Sequence, residues 1–320
     1  MGLVFYPDSR PGITRRRCGK GFSYLAPDGT SIDDKGERKR LASMAVPPAY
    51  EDVWMTPRTN GHLWATGLDA AGRKQYRYHP EWTETRAQAK FNSLADFGRA
   101  LPEIRSIVAR DLRKDPGRKD FALAAAVLLI DEVAIRVGNA AYAAERGTAG
   151  ATTLKRGNLR VTTGGLSLRW TAKGGKRVQR TVRSKRLMRI LQTARDLPGA
   201  ELFTWVDDDG DVHKITSSHL NDYLAEAGNG EFTAKTFRTW AGSLAAFEAH
   251  LADPDAKITD LARAASDRLA NTPTVARQSY IHPRVLDLAS TGTRIKRSRA
   301  RTGLSVPETM MLRHIAQGVP

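Results

Sequence analysis

Five scattered positions carry the residue types that phosphodiester transfer without a metal requires. In order they are Arg136, Lys173, Arg238, Asn271 and Tyr280, in the strings A-I-R-V-G-N, W-T-A-K-G-G-K, K-T-F-R-T-W and L-A-N-T-P-T-V-A-R-Q-S-Y-I. Fixed cations around a phosphorus atom stabilise charge on its non-bridging oxygens, and a hydroxyl supplies the nucleophile. The acceptor tyrosine would hold the phosphate while a strand is broken.

Each position also has an ordinary alternative. Arg136 is expected inside an apolar helix, where it either pairs with Asp131, Glu132 or Glu145 or clamps a phosphate with its planar fork of donors. Lys173 stands at a turn before Gly174 and Gly175, either as a solvated turn lysine or as a proton donor carried into a groove; Lys176 competes for that role. Arg238 follows Lys235 by three residues, so both lie on one helical face near a helix start. That face is either a solvated basic surface beside a core Trp240 or a phosphate site at the helix N-terminus. Asn271 either caps the helix opened by Pro273, faces the site, or does both. Tyr280 is either an interface tyrosine or the nucleophile.

Composition narrows the class. The chain has 320 residues and a mass of 35.2 kDa, enough for two domains, and a formal net charge of +17. A surplus of that size steers polyanions and favours phosphate contacts. Cys18 is the only cysteine, which leaves no disulfide framework or cysteine metal site and fits a reducing cytoplasm. No P-loop, metal-ligand cluster or H-E-x-x-H string occurs, so neither cofactor nor metal is expected. The stretch Met1 to Arg17 holds no apolar signal segment, and Phe121 to Ile130 is too short to span a bilayer.

These residues need elements to position them. Short β-prone runs, Phe22 to Leu25, Asp52 to Met55, Leu63 to Thr66 and Gln75 to His79, alternate with the turn signals Pro27-Asp28-Gly29, Asn60-Gly61 and Ala71-Gly72. From Glu84 onward helical spacing takes over, at 84–112, 119–145, 184–196, 216–227, 236–251, 257–270 and 273–280. A β excursion interrupts it: Leu159 to Thr163 and Leu166 to Thr171 flank a Gly164-Gly165 hairpin turn, and Arg177 to Val182 follows the lysine turn. Beyond Ser290 a mobile basic arm is expected, then a short helix near Pro307 to Ile315. The fold class is therefore α+β: a β-rich domain over residues 1–88, then a larger, mainly α-helical domain over 89–320 with a small three-stranded sheet.

The order of the five residues and their flanking strings resemble the constellation of type IB DNA topoisomerases, especially the small poxvirus-like enzymes of bacteria. P-P-A-Y (Pro47 to Tyr50), G-H-L-W-A-T-G (Gly61 to Gly67) and G-R-K-Q-Y-R-Y-H (Gly72 to His79) resemble that family's amino-terminal domain. The resemblance spans roughly residues 10 to 315. It implies a monomeric, C-shaped clamp that closes on duplex DNA and relaxes supercoils without ATP or obligatory metal, in the bacterial cytoplasm on the nucleoid. By the same resemblance Tyr280 forms a 3′-phosphotyrosyl link, Arg136 and Arg238 hold the non-bridging oxygens, and Lys173 protonates the departing 5′-oxygen. Asn271 occupies a place that is histidine in many relatives and reads as a transition-state stabiliser.

Lys74, Gln75, Tyr76, Arg77, Tyr78 and Lys235 are the expected DNA contacts, with the Arg15 to Arg17 run contributing grip. Gly174 stands where some viral relatives have an acidic residue, which bears on site preference. Tyrosine recombinases use a similar set but usually show H-x-x-R where this chain has Lys235-Thr-Phe-Arg238, and they lack the Gly72 to His79 string. A catalytically silent DNA-binding protein would explain the charge but leave the five-residue constellation accidental.

Overall fold

The computed structural model describes residues 2–163 and 165–317; Gly164, half of the expected hairpin turn, and residues 318–320 lie outside them. The chain divides after Lys90 into two compact units, within helix α2 (Pro80–Asp111).

The first unit is a five-stranded antiparallel sheet of β1 (Ile13–Cys18), β2 (Gly21–Leu25), β3 (Glu51–Met55), β4 (Leu63–Leu68) and β5 (Lys74–Tyr78), in the order β2-β1-β3-β4-β5. Helix α1 (Lys35–Ser43) adds Leu41 to a core of Ile13, Tyr24, Met44, Val53, Met55 and Ala65. β1 and α1 escape a reading by hydrophobic pattern, because I-T-R-R-R-C and K-G-E-R-K-R-L-A-S each bury one side chain.

Arg15 departs from expectation. Strand alternation puts it on the same side as the buried Ile13, and its guanidinium donates to the carbonyls of Val46 (2.8 Å), Pro47 (2.9 Å) and Tyr50 (2.9 Å) while lying 4.1 Å above the Phe22 ring. The carbonyls of Val46, Pro47 and Tyr50, in and just before the P-P-A-Y string, thus form a cradle that ties Arg15 into the fold. Arg16 and Arg17 remain exposed.

The second unit is built around α3 (Lys119–Val133), whose F-A-L-A-A-A-V-L-L-I face is buried all round. It packs against α5 (Lys185–Asp196), α6 (Ser217–Gly228) and α7 (Ala234–Ala252). In a helix of this length an apolar surface on every side calls for burial in a core. Next to it lies the antiparallel sheet β6 (Leu159–Thr162), β7 (Gly165–Thr171) and β8 (Arg177–Val182), in that spatial order. A second hairpin, β9 (Thr204–Val206) with β10 (Val212–Lys214), was not legible in the sequence.

Two expectations are corrected here. The helix expected over 119–145 breaks at Ala134, whose φ of 56° is left-handed, and resumes as α4 (Ala140–Arg146) after Asn139 caps it. Arg136 therefore lies on the segment that connects α3 to α4 and not in a helix. The basic arm is also not free: after α10 (Pro283–Thr291), Ile295 packs on the core, Leu304 is buried, and the Arg301 N–H donates to Thr309 Oγ1 (2.9 Å) of α11 (Val306–Ala316).

Candidate active site

The site is organised by helix ends. Helix α8 (Ile258–Leu269) ends at Ala270, which like Ala134 is left-handed, with φ 50°. A non-glycine residue in this region costs on the order of 1–2 kcal/mol. Helix C-termini also leave carbonyls without partners and carry partial negative charge. Arg238 answers both ends at once. Its guanidinium donates to the Ala134 carbonyl through Nη1 and to the Leu269 carbonyl through Nη2 (3.1 Å). This arginine is 3% exposed, and two helix C-termini make its charge tolerable there.

More cations converge on the same helix end. Arg180 of β8 donates to the carbonyls of Asp267 and Arg268 (the latter at 3.3 Å), and Lys176 Nζ donates to the Asn271 carbonyl (3.3 Å). Arg268 in turn donates to the Glu132 carbonyl at the end of α3 (2.9 Å). The C-terminus of α8 thus gathers the lysine hairpin, α3 and α7 around Asn271. Sequence reasoning missed Arg180 because its role depends on a helix 87 residues away.

Arg136 sits two residues beyond the Ala134 cap. Its carbonyl accepts from Ala151 N (2.8 Å) and Val137's from Thr152 N (2.8 Å), which ties this segment to the chain at 151–152. The carboxylates suggested as its partners are engaged elsewhere: Asp131 pairs with Arg105 (2.8 Å), Glu132 accepts from Ser184 (3.1 Å) and Glu145 pairs with Arg146 (3.1 Å). Among the described residues Arg136 forms no ion pair. Its charge does reach Arg238, whose pKa is held down to about 10, first by burial and then by Arg136, with Tyr280 opposing the shift. Arg238 stays charged at neutral pH, and its Nε is buried without a partner.

Lys173 and Lys176 occupy the β7–β8 turn, closed by Ala172 N to Lys176 O (2.8 Å) with Gly174 and Gly175 at φ 83° and 77°. Both lysines are exposed. The Lys176 ammonium donates to the Asn271 carbonyl, and among the described residues neither lysine forms an ion pair.

Asn271 is not the helix cap. That position belongs to Thr272, whose hydroxyl accepts from Val275 N (3.3 Å) at the start of α9 (Pro273–Ser279). Both side-chain polar atoms of Asn271 are buried and unpartnered. Buried amide groups are usually hydrogen-bonded, so a free one beside an arginine-lined site has a donor to offer.

Tyr280 closes α9, its ring 5.2 Å from the Arg238 guanidinium carbon and packed against Ala134, Ala241 and Leu269. Helix α7 holds it from below. A β-carbon on Gly242 would stand 2.7 Å from the Tyr280 carbonyl oxygen, so only glycine fits without displacement. Ser243 Oγ donates to that carbonyl (3.3 Å) and accepts from His282 N (2.9 Å). Neither residue was singled out in the sequence, although a glycine inside a helix is a signal of close backbone approach.

In the first unit, the expected contacts lie on β5, the edge strand. Tyr76 and Tyr78 are exposed and stack on one face, 6.2 Å apart at 10°. Lys74 pairs with Asp8 (2.5 Å), Gln75 donates to Asp69 Oδ2 (2.9 Å), and Arg77 is exposed. Lys235 is exposed in the first turn of α7. Among the described residues no cluster of side chains fits a metal ion, and no helix is long and apolar enough to cross a membrane.

Comparison with known proteins reaches the same place. The chain matches the family described as eukaryotic DNA topoisomerase I, catalytic core, over residues 79–278, and that described as bacterial DNA topoisomerase IB, N-terminal domain, over residues 21–69. The first match contains Arg136, Lys173, Arg238 and Asn271 and ends just before Tyr280. The DNA topoisomerase 1B of Acanthamoeba polyphaga mimivirus is 26% identical over 292 residues, covering 87% of each chain. The topoisomerase core match extends over most of the chain, where a recombinase or a silent DNA-binding protein had been the alternatives; the protein belongs to the type IB DNA topoisomerases and is an isomerase of that kind.

Proposed function

We propose that Tyr280 is the nucleophile of this topoisomerase and that Arg136, Lys173, Arg238 and Asn271 serve it. The Tyr280 oxygen attacks the scissile phosphorus and gives up its proton to solvent, the bond to the 5′-oxygen breaks, and Lys173 delivers the proton that the departing oxygen takes up. Arg136 and Arg238 stabilise the charge on the non-bridging oxygens, and the Asn271 amide adds a hydrogen bond. The bond energy is kept in the 3′-phosphotyrosine, so the free 5′-hydroxyl reseals the strand without ATP.

The observation that carries this reading is Arg238: a buried guanidinium, fixed on two helix ends beside the Tyr280 ring and within reach of the charge of Arg136, which forms no ion pair among the described residues. Preorganised cations of this kind act without reorganising at the moment of reaction.

Residues 1–88 would grip duplex DNA through Lys74, Gln75, Tyr76, Arg77 and Tyr78, and residues 89–320 would carry the chemistry, with Lys235 on the phosphate backbone. The working form is a monomer that closes as a clamp on nucleoid DNA.

Plasmid relaxation in EDTA, with covalent adducts trapped by SDS, tests the assignment. The intact protein is expected to relax the plasmid and form the adduct, and Tyr280→Phe to bind duplex but form none. An SDS-stable adduct from Tyr280→Phe would move the chemistry to another residue.

A further inference from the structure

The mechanism uses the Tyr280 hydroxyl but does not say what fixes its backbone. The side chain hangs from the C-cap of a seven-residue helix, and that helix buries only Ala276. Such a short, exposed helix gives little rigidity of its own. The support comes from α7. Arg238, Ala241 and Gly242 are spaced i, i+3 and i+4, so they share one helical face. Arg238 lies against the Tyr280 ring, Ala241 lies in the small apolar cluster that the ring packs on, and Gly242 lets the backbones touch.

Ser243 completes this contact. It is fully buried, and its hydroxyl bridges the carbonyl of Tyr280 and the N–H of His282, two residues apart in the chain. His282 is itself buried and caps α10. One hydroxyl thus closes the backbone turn immediately after the nucleophile.

We infer that Ser243 is a positioning residue for the reaction, acting with Gly242 to hold the Tyr280 backbone in line with the phosphate. The inference rests on Tyr280 being the nucleophile. The hydroxyl is fully buried and engaged by the backbone of Tyr280 and His282, so its loss acts on alignment. A small misplacement of a reacting group costs roughly 10–100-fold in rate.

The test is single-turnover cleavage of a duplex by the full-length Ser243→Ala, Ser243→Thr and Gly242→Ala proteins, alongside Tyr280→Phe. Rate constant, burst amplitude, noncovalent duplex affinity and melting temperature are measured for each. Ser243→Ala is expected to cleave roughly 10–100-fold more slowly per active site, with full amplitude and unchanged affinity. The defect should persist when the 5′-bridging oxygen is replaced by sulfur, because it does not involve protonation of the leaving group. Ser243→Thr, which keeps the hydroxyl, should recover most of the rate, and Gly242→Ala should share the defect. If Ser243→Ala cleaves at the parent rate, or loses only amplitude and melting temperature, the inference is overturned. If Tyr280→Phe still forms the adduct, the nucleophile assignment fails instead, whatever Ser243→Ala does.

Discussion

The edge strand β5 and the pocket around Tyr280 both present basic and polar side chains, but they treat them in opposite ways. On β5 the polar groups are exposed and partly satisfied: Lys74 by Asp8, Gln75 by Asp69, and the two tyrosines by one another. Around Tyr280 the groups are left wanting. Among the described residues Arg136 has no carboxylate partner, the Asn271 amide is buried and unpartnered, and Arg238 keeps an unsatisfied Nε. An exposed ion pair is worth about 0–1 kcal/mol and exchanges readily for a phosphate. A desolvated donor without a partner gains far more from an incoming charge. The first arrangement suits adjustable grip on DNA, and the second suits stabilisation of a transition state.

Variants can break or sharpen that contrast. The largest partial loss is expected for Lys173→Ala, roughly 10²–10⁴-fold in single-turnover cleavage. It should nearly vanish on a substrate with a 5′-bridging sulfur, since a thiolate leaves without a proton. Rescue of Lys176→Ala and not of Lys173→Ala would exchange the roles of the two turn lysines. Without that exchange, Lys176→Ala should weaken only the attachment of the turn to Asn271 and cost less.

Arg136→Ala should lose roughly 10²–10³-fold in cleavage, on oxygen and sulfur substrates alike, because its donors act on the non-bridging oxygens. A full recovery on sulfur would assign it to the leaving group. Effects on β5 should be smaller and should appear in binding. Arg77→Ala is expected to weaken duplex affinity and to lower the slope of log affinity against log salt by about one. Lys74→Ala should do less, because Asp8 already neutralises that charge. A cleavage defect in Lys74→Ala as deep as that of Arg136→Ala, at saturating DNA, would erase the distinction between the two regions.

The sequence by itself determined a great deal here. Turn glycines and alternating runs located β6, β7 and β8 to within a residue or two, and helical spacing located α5 through α9. The flanking strings singled out Arg136, Lys173, Arg238, Asn271 and Tyr280 as candidates, and of these the structure sets Arg238 against the Tyr280 ring. What only the tertiary structure decided was partnership. The chain around Arg136 reads as one continuous helix, and it breaks because Ala134 is left-handed and its carbonyl is taken by Arg238, 104 residues away. Arg15 reads as part of a basic DNA-binding run, and it is consumed by the carbonyls of Val46, Pro47 and Tyr50. Lys173 and Lys176 compete for one role in the sequence, and only folding brings the Lys176 ammonium to the Asn271 carbonyl. Ser243 carries no signal of its own, since a buried hydroxyl on a helix means nothing until the turn after Tyr280 is laid against it. Local propensity and residue type are written residue by residue, whereas the satisfaction of a buried carbonyl or guanidinium depends on segments brought together only by folding.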